Sequence, residues 1–143
     1  MSNFVERLIE YMQEQNLSQK DLAKKHGIPC STLSALLLGK NMPSYSTLAK
    51  ILSIFNCSAD FLLGIDEYPT EEKLFSVIAF KERFKEILTE KNISQGQVRR
   101  DLHYSTSVLY KWVSGKAEPS AVTLIRLAEY LDCSVDYLMG RRR

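Results

Sequence analysis

Residues 4–64 and 80–140 align at a constant offset of 76 residues with no insertion or deletion, and about 21 of the 61 aligned positions are identical. The endings match most closely, Asn56-Cys57-Ser58-Ala59-Asp60-Phe61-Leu62-Leu63-Gly64 against Asp132-Cys133-Ser134-Val135-Asp136-Tyr137-Leu138-Met139-Gly140. A unit of this length repeated twice describes duplicated domains rather than a solenoid of several shorter stacked units. Each copy must therefore close a core of its own, near the lower size limit at which only about 60% of the unfolded chain's surface becomes buried. The hydrophobic fraction of 45% and charged fraction of 25% supply the apolar set this requires.

Apolar residues recur at helical spacing, without sustained period-two alternation or hairpin signals, so the expected class is all-α with about five short helices per copy. In the first copy Phe4, Leu8, Ile9 and Met12 form one stripe, ending near Asn16. Ser18 can cap a second helix from Gln19 to about His26, and Gly27 supplies the turn. A third helix runs from about Cys30 to Leu38, Ser44 caps a fourth to about Phe55, and Ser58 opens a last short one. The second copy repeats the signals with Ser94, Gly115, Pro119 and Ser120, and places Trp112 inward. His103 replaces the turn glycine, so a left-handed residue there carries a cost that histidine tolerates better than most.

These signals divide the chain into a first domain, 1–64, a linker, 65–79, and a second domain, 80–143. Asp66-Glu67-Tyr68-Pro69 opens the linker as a breaker; beyond it, Thr70 with Glu71 and Glu72 favours a helical lead-in to Phe80, the alternative being an extended connection. Charge is uneven. Residues 1–64 hold six basic against five acidic side chains, 65–79 one against four, and 80–143 twelve against eight. A polyanion would find the second copy better equipped. Cys30, Cys57 and Cys133 lack metal-ligand spacing; Cys57 and Cys133 read as small core residues in a reducing compartment. No apolar run approaches the roughly 20 residues that span a bilayer, and no signal peptide opens the chain, so the expected location is the cytoplasm.

An ordered set of features then recurs in both copies. A Ser-Gln pair opens the second helix (Ser18-Gln19, Ser94-Gln95), and a short third helix closes on Gly-Lys (Gly39-Lys40, Gly115-Lys116). Pro-Ser, a Leu-rich helix and the Cys-Ser-x-Asp-x-Leu ending follow. The chain resembles the phage-repressor/Cro-like (XRE) helix-turn-helix family along both copies. The resemblance implies two lambda-repressor-like domains binding double-stranded DNA, with the third helix in a major groove and the second over the backbone. It implies phosphate contacts for Gln19 and Gln95, and for Lys40 and Lys116 just past the third helix.

The outward residues of the third helix separate the copies. The second presents Thr106, Ser107, Tyr110 and Lys111, with Val108 at the edge, and Arg99, Arg100 and Lys91 nearby for the backbone. Hydroxyls, a valine methyl and an ammonium can each meet base edges or phosphate. The first presents Cys30, Ser31, Thr32, Ser34 and Ala35, without charge, and Leu37 and Leu38 are expected to be partly exposed. An apolar patch of that kind marks a partner surface. The expected function is a sequence-specific DNA-binding transcriptional regulator with the second copy as stronger reader. It is expected to be a homodimer with the first copy or the connection in its interface; the alternative is a protein-interaction module in which the first copy no longer binds DNA. Nothing suggests an enzyme: His26 and His103 are not equivalent, and no phosphate loop, nucleotide fingerprint or nucleophile–base pair occurs. No metal or cofactor is expected, and no small-molecule effector is legible. Arg141 to Arg143 remain open between phosphate contacts and a solvated end.

Overall fold

Serine caps and left-handed stops punctuate ten helices among the described residues, which are 2–142 of the computed structural model. The chain divides into two units, Met1–Lys73 and Leu74–Arg143. The first holds α1 (Ser2–Glu14), α2 (Gln19–His26), α3 (Cys30–Leu37), α4 (Tyr45–Phe55) and α5 (Ala59–Leu62). The second holds α6 (Phe80–Lys91), α7 (Gln95–Leu102), α8 (Thr106–Ser114), α9 (Ala121–Leu131) and α10 (Val135–Leu138). No strand occurs among the described residues.

The caps follow from the sequence. Ser18 Oγ accepts from the Asp21 N–H while the Asp21 carboxylate accepts from the Ser18 N–H; Ser94 and Gln97 repeat this reciprocal box on α7. Such a cap stabilises a helix by about 1 kcal/mol. Ser44, Ser58 and Ser134 cap their helices through the side chain, whereas Ser120 sits at the start of α9 without a capping bond from its hydroxyl. Gly27 stops α2 at φ 69°, and His103 stops α7 at φ 59°. The left-handed turn thus survives the exchange of glycine for histidine.

Each unit closes its own core. Phe4, Leu8, Leu22, Leu33, Leu36, Leu48, Ile51 and Leu62 are buried in the first, and Phe80, Phe84, Ile87, Val98, Leu124, Leu127 and Leu138 in the second. Burying one such side chain contributes about 1.5–3 kcal/mol. Cys57 is buried, Cys133 half-buried and Cys30 exposed.

The connection departs from the sequence reading. Residues 65–79 contain no helix, so the helical lead-in from Thr70 does not form. Thr70 Oγ1 does accept a backbone N–H, from Glu72, but as a local turn rather than as a helix cap. The reason is competition from the chain's end. The Phe75 N–H donates to the Arg141 carbonyl at 2.8 Å and the Ile78 N–H to the Met139 carbonyl at 3.1 Å, which takes their hydrogens out of any helix. Ile78 lies over Gly140, where an added Cβ would stand only 2.6 Å from its Cγ1.

Arginines at equivalent repeat positions lock both closing turns. Arg83 stacks on the Tyr137 ring and donates to the carbonyls of Tyr137 and Arg142. Arg7 stacks on the Phe61 ring and donates to the carbonyls of Phe61 and Asp66. Arg141 is buried in a 3.0 Å ion pair with the fully buried Asp136. That resolves the open reading of the basic end for this residue, which is structural; Arg142 is half-buried, and Arg143 lies outside the described residues.

Candidate nucleic-acid interface

The second unit builds its recognition element on an aromatic anchor. Trp112 is buried, and its ring meets Phe80, Phe84 and Tyr104 edge-on at centroid distances of 5.9, 6.0 and 5.1 Å. With Leu109 also buried, the inward face of α8 is fixed, and helical spacing sends the opposite face outward. Thr106, Ser107, Tyr110 and Lys111 are exposed and Val108 is half-buried. Ser105 caps α8 by accepting from the Val108 N–H at 3.2 Å, a role the sequence reading did not assign.

The preceding helix is held in register with α8. Gln95 is the first residue of α7 and is exposed; Arg99 is half-buried and Arg100 exposed. Arg100 folds back over Gly96, with Nη1 at 3.1 Å from where a Cβ would stand. Tyr130 of α9 donates to the Asp101 carboxylate at 2.5 Å, and that hydrogen bond, ahead of desolvation, raises the tyrosine pKa. The turn is braced from α9 as well, Arg126 lying 5.1 Å from the Tyr104 ring centroid. In the first unit the equivalent Lys50 donates to the Gly27 carbonyl at 3.3 Å. The same position supports the same turn by different chemistry.

Past α8, the Lys116 ammonium stands 5.2 Å from the Tyr110 ring centroid. Lys81, at the start of α6, runs across Gly115, its Cδ within 2.8 Å of an added Cβ. Sequence reasoning passed over Lys81. The available signal was the repeat itself, where it aligns with the apolar Val5.

The first unit presents a different face. Gln19 is exposed at the start of α2 and accepts a long 3.5 Å hydrogen bond from Ser34 of α3. Ser31 is exposed and Thr32 half-buried, both lining a shallow groove with Asn41, Met42 and Ser44; Lys40 is exposed beyond α3. Leu38 is 69% exposed and Leu37 half-buried. Leu37 joins Ile9, Met12 and Leu17 along an open groove of about 430 Å³. The equivalent groove in the second unit carries Lys85 where Ile9 stands. The caps differ electrostatically too. The Ser18 backbone N–H and then its hydroxyl hold the Asp21 carboxyl below the usual carboxylate range. The part of this cap's stabilisation that comes from the ionised carboxylate is therefore present above the unfolded-state pKa and lost as pH falls through the lower folded value, while the Ser18 hydroxyl keeps its bond from the Asp21 N–H. Gln97 makes the second unit's cap independent of that titration.

Among the described residues, no group of three His, Cys, Asp or Glu side chains is placed to hold a metal ion. No helix among them is long and apolar enough to cross a membrane. A helix-turn-helix family model matches residues 8–62 and again 84–138, once in each unit. The chain is 30% identical over 61 residues to the HTH-type transcriptional activator BcrR of Enterococcus faecalis, covering 43% of this chain and 30% of that protein. It is 35% identical over 72 residues to the uncharacterized HTH-type transcriptional regulator YqaE of Bacillus subtilis, covering 50% of this chain and 60% of that one. The chain thus spans between 30% and 60% of the length of these relatives. No solved structure matches.

Proposed function

Because the chain belongs to the XRE-type helix-turn-helix family, with one matching segment in each unit, we propose that it is a sequence-specific DNA-binding transcriptional regulator acting in the cytoplasm, with α8 as its principal reader. The observation that carries this reading is the outward face of α8, where Thr106, Ser107, Tyr110 and Lys111 are exposed together on an anchored helix. Thr106 and Ser107 offer donors and acceptors to base edges, Val108 a methyl surface for thymine, and Lys111 an ammonium for guanine. Gln95, at the positive end of the α7 dipole, and Lys116 and Arg99 hold the helix on phosphate. Gln19, Ser31, Thr32 and Lys40 are the corresponding contacts of the first unit, fewer in charge and weaker in consequence. The relatives' names, a transcriptional activator and a transcriptional regulator, support the same class and do not favour an enzyme.

Variants of the two-unit chain titrated on DNA test the assignment. Lys111→Ala is expected to weaken the preferred site by about 1–3 kcal/mol and relax sequence preference there. Gln95→Ala is expected to weaken specific and random duplexes alike, and Gln19→Ala to have the smaller effect of the two glutamines. A larger loss from Gln19→Ala than from Gln95→Ala would reverse the choice of reader.

A second role falls to the first unit, as a contact between chains of a homodimer. The exposed Leu38 and the groove in which Ile9, Met12, Leu17 and Leu37 lie beside the polar Gln13, Asn16, Ser18, Gln19 and Asp21 support it, and a partner seated there would cover Gln19 in place of DNA. The variant Leu37→Glu with Leu38→Glu should sediment as a monomer where the wild type sediments as a dimer. A wild-type monomer, or a double variant that still dimerises, would remove this arrangement.

A further inference from the structure

A lysine from another helix of the second unit lies across the carboxyl end of α8. Lys81 belongs to the first turn of α6, and its stem lies across Gly115: a Cβ there would stand 2.8 Å from Lys81 Cδ and 3.5 Å from Nζ. Gly115 serves two ends at once. Its φ of 81° stops the helix, and its missing side chain leaves room for the lysine stem. An ammonium at this end of a helix is favoured by the dipole. Lys116, the next residue, is directed by the Tyr110 ring 5.2 Å from its ammonium. Lys81, Lys116 and Tyr110 are all exposed. The carboxylates close by in sequence, Glu82 and Glu118, make no ion pair with either lysine among the described residues.

The first unit lacks the arrangement. Its equivalents are Val5, whose Cγ2 is 4.0 Å from an added Cβ on Gly39, then Ser34 in place of the ring, and Lys40 alone. We propose that Lys81 adds a DNA backbone phosphate contact from α6 beside the carboxyl end of α8, next to the contact already assigned to Lys116, with Tyr110 as the residue that positions Lys116. This rests on the reading of α8 as the DNA-facing helix and adds a contact from α6 that the helix-turn-helix pair does not itself contain. The negative end of the α8 dipole alone disfavours an anion, and the Lys81 ammonium beside it offsets that charge and offers a donor. Its contribution to binding is independent of base sequence.

The test uses the two-unit chain and a mixed-sequence DNA duplex, with affinity followed by fluorescence anisotropy between about 50 and about 200 mM salt. Lys81→Ala should flatten the slope of log affinity against log salt by about 0.9, so that this fourfold rise in salt weakens the variant about 3.5-fold less than the wild type. Lys81→Arg should keep the wild-type slope, and so should Lys73→Ala, which removes the same charge from the connection. Tyr110→Phe should retain Lys116's contribution, and Tyr110→Ala should lose part of it. A wild-type slope in Lys81→Ala, or equal flattening in Lys73→Ala, would overturn the Lys81 contact and leave the regulator reading intact. A wild type whose binding does not depend on salt would overturn both. Lys81→Gln serves as the neutral variant should the alanine lower the thermal midpoint.

Discussion

Replacing Arg141 with methionine is expected to destabilise the second unit by about 3–5 kcal/mol. The Arg141 side chain is 5% exposed and that of Asp136 fully buried, at 3.0 Å from each other. Removing the guanidinium takes the ion-pair partner from a carboxylate in a site from which water is excluded, and losing that compensation is the source of the loss. A domain of this size has a total stability of roughly 0.05–0.15 kcal/mol per residue, so the variant should populate the unfolded state strongly. The chain's one tryptophan, Trp112, lies in this unit, so its fluorescence in a urea titration reports the second unit alone. Combining Arg141→Met with Asp136→Leu should recover much of the loss, because two apolar side chains leave no charge of the ion pair buried. A single-variant loss below about 1 kcal/mol would mean the pair is solvated in practice, as exposed pairs are.

The same residue shows where sequence reading ends. Helix positions were legible because local chemistry determines them: Ser18 and Ser94 as caps, Gly27 and Gly115 as stops, and a 3.6-residue apolar spacing between them. Trp112 was legible as core from its alignment with Leu36. The connection was misread because Thr70-Glu71-Glu72 carries a helix-start pattern while the competing partners, the carbonyls of Met139 and Arg141, lie more than 60 residues away in sequence. The Arg7 and Arg83 clamps were likewise invisible to spacing, although their identity at equivalent positions was a signal. In the candidate interface, the outward face of α8 followed from the repeat and helical periodicity. The Lys81 crossing did not, since it depends on how α6 packs against α8.

Trp112→Ala is expected to cost the second unit about 3–5 kcal/mol, the range for emptying a large aromatic site from a packed core. Its ring contacts residues of α6 and of the turn before α8, so its loss loosens both supports of the reading helix at once. Circular dichroism of the full chain is the measurement, because the substitution removes the fluorescent reporter. Trp112→Leu should cost distinctly less than the alanine, since the equivalent site of the first unit accommodates Leu36 at 2% exposure on the same backbone plan. The two variants also separate folding from recognition. Trp112 does not face the outward surface of α8, so any fall in DNA affinity should scale with the fraction of second unit unfolded. A loss in Trp112→Leu well beyond that fraction, under conditions where the unit remains folded, would mean that the tilt of α8 itself sets affinity. A unit that tolerates Trp112→Ala with less than about 1 kcal/mol lost would contradict the anchor altogether.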